Sequence, residues 1–397
     1  MPTITCKLND LNKLAGTSLT YEQLDKEILL VKGELKGHDP ETDDLKIELQ
    51  DTNRPDLWTV EGIARQLRFK LTSEPPRYNW FNEETMRLAG TLLIDPKLDY
   101  RPYAGAIAVR GLEVTDDFLV GLIQTQEKLA DNLGRHRKSL SIGIYDLNQI
   151  QFPVHYKAVK RDGMKFVPLD FDVEMTPDEI LKEHPKGQAY AHILEGQELV
   201  PMLVDDKGEV LSFPPVINSR ASGEVKVGRR DLFIEATGTN FMHLLLALNI
   251  FAVDLADRGG EISAVRISSP VDTPMGKEFV MPVLHCMKNK IDRSMVKNWL
   301  GVDYQLHEMA DLLQTYGYAV EDMDPNSEEI EVSMPPWRHD LLHPVDIVED
   351  LAISAGYDSI EPQMPSYFTV GKIAPSVAFE DRVRNTILPF GFEEIIA

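Results

Sequence analysis

Four carboxylates, Asp340, Asp346, Glu349 and Asp350, crowd the stretch P-P-W-R-H-D-L-L-H-P-V-D-I-V-E-D-L-A-I-S-A-G-Y-D at residues 335–358. From Val345 onward the apolar residues Ile347, Leu351 and Ala355 recur every four positions, which predicts a helix with one apolar face. Asp346 stands three and four positions before Glu349 and Asp350, so these three meet on adjacent turns of another face. Pro344 suits the first helical turn, and Asp340 can fold back from the loop before it. Like charges so close repel, and either a bound divalent cation or a neighbouring basic group such as Arg338 relieves them; oxygen-only ligands suit Mg²⁺. A solvated acidic helix face is the third arrangement that the spacing permits.

A second region with chemical potential lies between His184 and Asn240. Asp206-Lys207-Gly208 predicts a tight turn between two strands, and Phe213-Pro214-Pro215 breaks the second of them, freeing Ile217-Asn218-Ser219 from regular pairing. Irregular backbone flanked by strands is where sites are often built. The strand Leu232–Ala236 then runs into Thr237-Gly238-Thr239-Asn240 and a strongly apolar helix. A cap at Thr239 or Asn240 is expected, with the free N–H groups of that helix aimed at the Asn218 loop as a seat for an oxyanion or phosphate. A capped core helix packed on a sheet fits the same residues. Between these regions and the N-terminus, Gly134-Arg135-His136-Arg137-Lys138 is a basic run in an acidic chain, and Arg135, Arg137 and Lys138 are candidate phosphate contacts or a solvated loop.

The elements that must position these residues follow from patterning. Thr3–Lys7 reads as a strand, and a helix from Tyr21 opens with a capping box of Thr20 and Gln23 and carries Leu24, Ile28 and Val31 inward. Asp56 is placed to cap a helix with Val60, Ile63, Ala64 and Leu67 on its buried side. Residues 73–85 read as a Pro-rich linker. A strand at R-P-Y-A-G-A-I-A-V-R, a helix from Asp116 to Leu133 with Phe118, Leu122, Ile123 and Leu129 inward, and strands at S-I-G-I-Y-D-L and K-F-V-P-L-D-F follow. After E-I-S-A-V-R-I-S-S come two short helices, starting near Asp292 and Gln305 and joined at Gly301. Val296, Trp299, Leu300, Leu306, Met309, Leu312 and Leu313 supply their buried faces. Strands then lead to the acidic helix, a winged-helix-like order. A last helix and a strand after Gly391 close the chain. Helix and strand segregate without a βαβ rhythm, so the expected class is α+β, multidomain.

With 397 residues, 43 % of them hydrophobic, the chain has length for several cores. Two cysteines, Cys6 and Cys286, exclude a disulfide framework or a cysteine-based zinc site and fit a reducing cytoplasm. No apolar run reaches the roughly 18 to 20 residues of a membrane span, and no phosphate-cradling glycine loop occurs in context. A net charge of −23 argues against a free-standing DNA-binding protein.

The P-x-R-x-D, D-I-V-E-D-L and G-Y-D segments, with Asn53-Arg54-Pro55-Asp56, resemble the phenylalanyl-tRNA synthetase beta subunit of archaeal and eukaryotic type. The resemblance implies that Asp340, Asp346, Glu349 and Asp350 bind a structural Mg²⁺ at the contact with the alpha subunit of an α2β2 assembly. It also implies a central mixed α/β domain that hydrolyses tyrosine wrongly attached to tRNA(Phe), with Leu203, Ser212, Asn218, Glu235 and Thr237 lining or bordering the pocket. Where the family often has Asp, this chain has Glu235. Asn218, Glu235 and Thr237 are the expected catalytic residues, and Leu203, Ser212 and Thr239 the expected substrate contacts. Amino-acid activation with ATP would belong to the alpha subunit. The expected division is an N-terminal α+β domain at 1–85, an editing domain at 86–270, a winged-helix-like metal-holding module at 271–365, and the opening of a truncated catalytic-like module at 366–397. A non-enzymatic interaction scaffold is the rival from another class.

Overall fold

A computed structural model of the chain describes residues 2–50, 53–72, 74–81, 86–284, 286–320, 327–364 and 369–396. Met1–Tyr357 form one compact unit and Asp358–Ala397 a second. Part of the linker expected at 73–85, residues 73 and 82–85, lies outside the described residues.

Three sheets follow one another along the first unit. Strands β1 (Thr3–Lys7), β2 (Gly33–Asp39) and β3 (Asp44–Leu49) form an antiparallel sheet in the order β1-β3-β2. It packs with helices α1 (Leu8–Ala15), α2 (Tyr21–Glu27) and α3 (Val60–Leu71) over a core containing Leu24, Ile28, Val31, Ile63 and Leu67. The capping box at Thr20 and Gln23 is formed. Helix α3 is capped by Thr59, not by Asp56 as the sequence suggests. Asp56 is instead buried and gripped by both arms of Arg54 at 2.9 and 2.7 Å, since a charge-assisted fork outweighs a single capping bond.

The central sheet is ten-stranded and mostly antiparallel. Its strands are β4 (Leu88–Ile94), β5 (Tyr103–Arg110), β6 (Leu140–Asp146), β7 (Val154–Lys160), β8 (Leu199–Val204), β9 (Val210–Phe213), β10 (Ile217–Asn218), β11 (Leu232–Gly238), β12 (Glu261–Ser268) and β13 (Glu278–Met281). The order is β10-β9-β8-β7-β4-β12-β5-β11-β6, with β13 beside β12 and only the β12–β4 and β4–β7 pairs parallel. Small or branched residues keep β5 and β11 buried on both faces, as strands in the middle of a covered sheet require. Helix α4 (Asp116–Lys128) continues into a wider turn at Leu129–Leu133, and α5 (Pro177–Glu183), α6 (Pro185–Tyr190) and α7 (Arg220–Gly223) are short. Helix α8 (Phe241–Asp257) is buried along most of its length and lies against β5 and β11. Residues 165–171 make bridges at Phe166 and Pro168 in place of the expected strand. Ile123, expected inward, is exposed.

The third sheet, in the order β14 (Lys288–Asp292), β16 (Glu329–Ser333), β15 (Ala319–Val320), packs with α9 (Arg293–Leu300), α10 (Leu306–Gln314) and α11 (Pro344–Ala355). Asp292 caps α9 and Gly301 ends it with a left-handed turn at φ 74°, a conformation that a glycine adopts without strain. Trp299 is exposed rather than buried, because the short α9 offers only Val296 fully to the core. In the second unit, α12 spans Pro375–Ile387; among the described residues no strand follows Gly391.

Candidate functional site

A cavity of about 360 Å³ lies where the two ends of the central sheet curl towards each other. β10 and β6 are opposite edges of the strand order, yet the Asn218 side-chain amide donates to the Ile144 carbonyl at 3.4 Å and the Tyr145 hydroxyl reaches Ser212 Oγ at 2.8 Å. Apolar walls come from Leu119, Leu122 and Ile123 of α4 and from Val216, so the exposed Ile123 faces this space rather than the core. Polar groups converge from Ser141, Ser212, Asn218 and Glu235. Charged side chains of Glu127, Arg137, Asp170, Lys186 and Glu224 also line it, so it is a concavity of mixed character in which polar groups converge, as they do in small-molecule sites.

Glu235 is the chemically unusual group. It stands on β11 between Ala106 and Gly143, whose small size leaves room for its carboxylate within the sheet. A β-carbon on Gly143 would fall 2.0 Å from the Tyr145 hydroxyl and 2.7 Å from Glu235 Oε1. Oε1 meets the Tyr145 hydroxyl at 2.9 Å, while Oε2 is buried without a hydrogen-bond partner among the described residues. Burial pushes the carboxyl up to about 7, against the opposing pull of the Tyr145 hydroxyl and the Arg101 charge. Perturbed carboxylates of this kind concentrate at functional sites.

The structure separates the sequence-selected residues of this region. Ser212, Asn218 and Glu235 line the cavity together. Leu203 is buried opposite Ser212 as its strand partner and lies behind the wall. Thr237 is likewise buried off the cavity, and its hydroxyl pairs with Ser141 Oγ at 2.9 Å. Thr239 is exposed and does not line the cavity; Asn240, not Thr239, caps α8, and its side-chain oxygen accepts from His243 N. The expected anion seat at that helix end therefore does not adjoin the Asn218 loop, because α8 packs on β5 and β11 with its start outside the cavity. Arg135 and Lys138 are exposed, and with His136 the run passes through left-handed backbone at Arg135, His136 and Arg137. Arg137 is committed to the cavity wall: it donates to the Val216 carbonyl at 3.0 Å and stacks over Tyr190 with 4.4 Å to the ring centroid.

The acidic cluster is assembled as an ion-pair network. Arg338 donates to Asp340 at 3.0 and 2.6 Å and to Asp350 at 2.7 Å; Tyr318 also donates to Asp350. Arg54 approaches Asp340 at 3.8 Å and Lys32 pairs with Glu349 at 2.9 Å. Asp346 accepts from the backbone N–H groups of Leu342 and His343, closing the first turn of α11. Burial disfavours the Asp340 charge, but the Arg338 and Arg54 guanidiniums outweigh it and hold the carboxyl down to about 2. All four acids border one small cleft with Lys32 and Arg54. Among the described residues no three acid, histidine or cysteine side chains stand as a ready metal-ligand set. Lys32 and Arg54, from a distant part of the chain, pair with acids that the local spacing left without a counter-charge. Among the described residues Asp346 is bound by backbone N–H groups and the other three acids by Arg338, Arg54 and Lys32.

Residues 290–357, which carry this cluster, match the model of the tRNA synthetase B5 domain. The phenylalanine–tRNA ligase beta subunit of Thermococcus sibiricus is 37 % identical over 404 aligned residues, covering all of this chain and 69 % of that protein. The chain belongs to the phenylalanine–tRNA ligase beta subunit family. The beta subunit of Borrelia recurrentis is 36 % identical, again over the whole chain and 70 % of the relative. The crystal structure of an N-terminal fragment of the phenylalanyl-tRNA synthetase beta subunit from Pyrococcus horikoshii superposes with a TM-score of 0.82 at 36 % identity. It covers 90 % of this chain and all of that one.

Within this beta-subunit chain, sequence reasoning passed over Tyr145, Gly143, Ser141 and Arg101. The first three share one face of β6 in the alternation S-I-G-I-Y-D, a visible signal whose meaning depends on which strand lies alongside. Arg101 is wholly buried and donates to Ser141 Oγ at 2.9 Å, to the Thr237 carbonyl at 2.8 Å and to the Lys138 carbonyl at 3.0 Å. It ties the basic loop to the two strands behind the cavity. Among the described residues no helix is long and apolar enough to cross a membrane.

Proposed function

We propose that the central cavity is a proofreading site that hydrolyses the ester of Tyr-tRNA(Phe). The observation that carries this reading is the buried Glu235 Oε2, unpartnered among the described residues, in a cavity that Ser212 and Asn218 also line. A pocket built for phenylalanine cannot strongly reject a side chain that merely adds a hydroxyl, whereas a second pocket that hydrogen-bonds the hydroxyl can select it. Ser212, Asn218 and Glu235 receive the phenol, and the ester is left towards the mouth, where water attacks it. Thr237 acts through Ser141, and Leu203 supports Ser212 from the adjoining strand. Arg135 and Lys138 contact tRNA phosphates. The chain would then be an aminoacyl-tRNA deacylase as well as part of the cytoplasmic ligase. The test is incubation of the purified protein, alone and with its alpha subunit, with Tyr-tRNA(Phe). Release of tyrosine supports the reading, and binding without turnover points to a scaffold.

The 271–365 segment would serve as a winged-helix-like module for assembly with the alpha subunit, which performs ATP-dependent charging. Its acids fit Mg²⁺ in donor type, being oxygen only, but each is already ion-paired or hydrogen-bonded, so an ion would have to displace Lys32 from Glu349. Asp346 and Glu349, the two more accessible acids, would hold the ion with Asp340 and Asp350 behind them, and the ion would supply a structural cross-link. Asp346→Ala with Glu349→Ala should then weaken association with the alpha subunit in magnesium-containing buffer. Unchanged assembly in magnesium-free buffer would remove the ion from the account.

A further inference from the structure

We propose that Tyr145 is a positioning residue that fixes the hydrogen-bond polarity of the cavity's end wall and thereby its preference for a hydroxyl-bearing side chain. The inference rests on the proofreading reading and adds a residue to it. The Tyr145 ring is wholly buried against Phe233, and its hydroxyl touches two cavity-lining side chains, Ser212 Oγ at 2.8 Å and Glu235 Oε1 at 2.9 Å. A phenol has one proton to give. Burial and the adjoining carboxylate keep that proton on Tyr145, and the carboxylate is the stronger acceptor, so Tyr145 donates to Oε1. Its oxygen then accepts from the Ser212 hydroxyl.

Two consequences follow for the cavity. Ser212 spends its only proton on Tyr145 and offers lone pairs alone to a ligand. Glu235, held through Oε1, leaves Oε2 as a buried acceptor unpartnered among the described residues. With Glu235 ionised, Ser212 Oγ and Glu235 Oε2 face the cavity as acceptors for a donor such as a phenol hydroxyl, and this preference strengthens as pH rises through about 7. A benzyl side chain would leave those buried acceptors unpaired, which is costly. Gly143 is part of the device, because any β-carbon there would displace the Tyr145 hydroxyl.

The test uses the chain assembled with its alpha subunit and compares kcat/KM for deacylation of Tyr-tRNA(Phe) and Phe-tRNA(Phe). Tyr145→Phe keeps the ring and removes the hydroxyl; it should lower the Tyr-over-Phe preference by about ten-fold, the loss of one buried hydrogen bond at the transition state. Gly143→Ala should shift the preference in the same direction and decides the question should Tyr145→Phe fail to fold. An equal fall in both rates, or an unchanged preference in either folded variant, would overturn the inference. If the wild-type assembly hydrolyses neither ester, or Glu235→Gln retains the full rate, the proofreading reading itself fails, and that outcome is separable from the first.

Discussion

Replacing Glu235 by glutamine should stabilise the protein at alkaline pH while abolishing most of its hydrolytic activity. The wild-type carboxyl is raised from 4.5 to about 7 by burial. The folded state therefore binds its proton more tightly than the unfolded chain, and stability is lost as pH rises from 4.5 through 7, then levels off. The whole shift corresponds to about 3 kcal/mol, and roughly 2 to 3 kcal/mol of it falls between pH 5 and pH 8. Glutamine does not titrate, so its own packing and hydrogen-bond costs are the same at both values and cancel. Asp254, which burial raises to about 8 against the pull of Arg65, titrates in both proteins and drops out of the comparison. The assay is urea unfolding of wild type and Glu235→Gln at pH 5 and pH 8, followed by tryptophan fluorescence. The advantage of the variant should grow by about 2 to 3 kcal/mol from the lower to the higher pH. An advantage that is equal at both values would show that Glu235 is ionised in the fold without cost, and the account of its buried, unpartnered oxygen would fall with it.

Asn218→Ala should slow release of tyrosine from Tyr-tRNA(Phe) by about ten-fold with tRNA affinity unchanged, for one lost hydrogen bond; a wild-type rate would leave Asn218 as a link between β10 and β6 only. Replacing Arg135 and Lys138 together by alanine should weaken tRNA binding and flatten its salt dependence by about two counterions, whereas Arg137→Ala should disturb the cavity wall through Pro215, Val216 and Tyr190. Binding isotherms over a salt series separate the two effects. Arg338→Met should cost about 3 to 5 kcal/mol in unfolding experiments, because Asp340 and Asp350 would remain buried without their shared cation. A loss below about 1 kcal/mol would place those acids in solvent.

Local signals in the chain were dependable where the physics is local. The box at Thr20 and Gln23, the turn at Asp206-Lys207-Gly208 and the proline-led helix at Pro344 each depend on a few neighbouring residues, and each forms. Phe213-Pro214-Pro215 ends β9 as expected, but Ile217 and Asn218 are not freed from pairing, because the turn folds them back onto Phe213 and Ser212 as β10, and Ser219 bridges to Pro168. Helical spacing brings Asp346, Glu349 and Asp350 to one cleft for the same local reason, and Arg338 holds the loop residue Asp340 beside them. Asp56 and Thr59 compete for one cap, and a bidentate arginine two residues away settled the competition.

What the sequence left open is set by contacts between distant segments. Lys32 and Arg54 reach the acids near 340–350 from the far end of the chain and turn a bare cluster of like charges into an ion-paired network. Ile123 sits at a position that helical periodicity marks as inward, but it faces a cavity because the sheet curls and leaves space there. Nothing in S-I-G-I-Y-D, in the strand Leu232–Ala236 or in the loop at Asn218 announces that β6, β11 and β10 meet. That meeting follows from the twist accumulated across a ten-stranded sheet, which brings its two edges together. The sequence alone determined which residues were available for chemistry. Only the tertiary structure decided that Tyr145, Ser212 and Glu235 stand within hydrogen-bond reach of one another, because coiling of the whole sheet, and no local spacing, sets those distances.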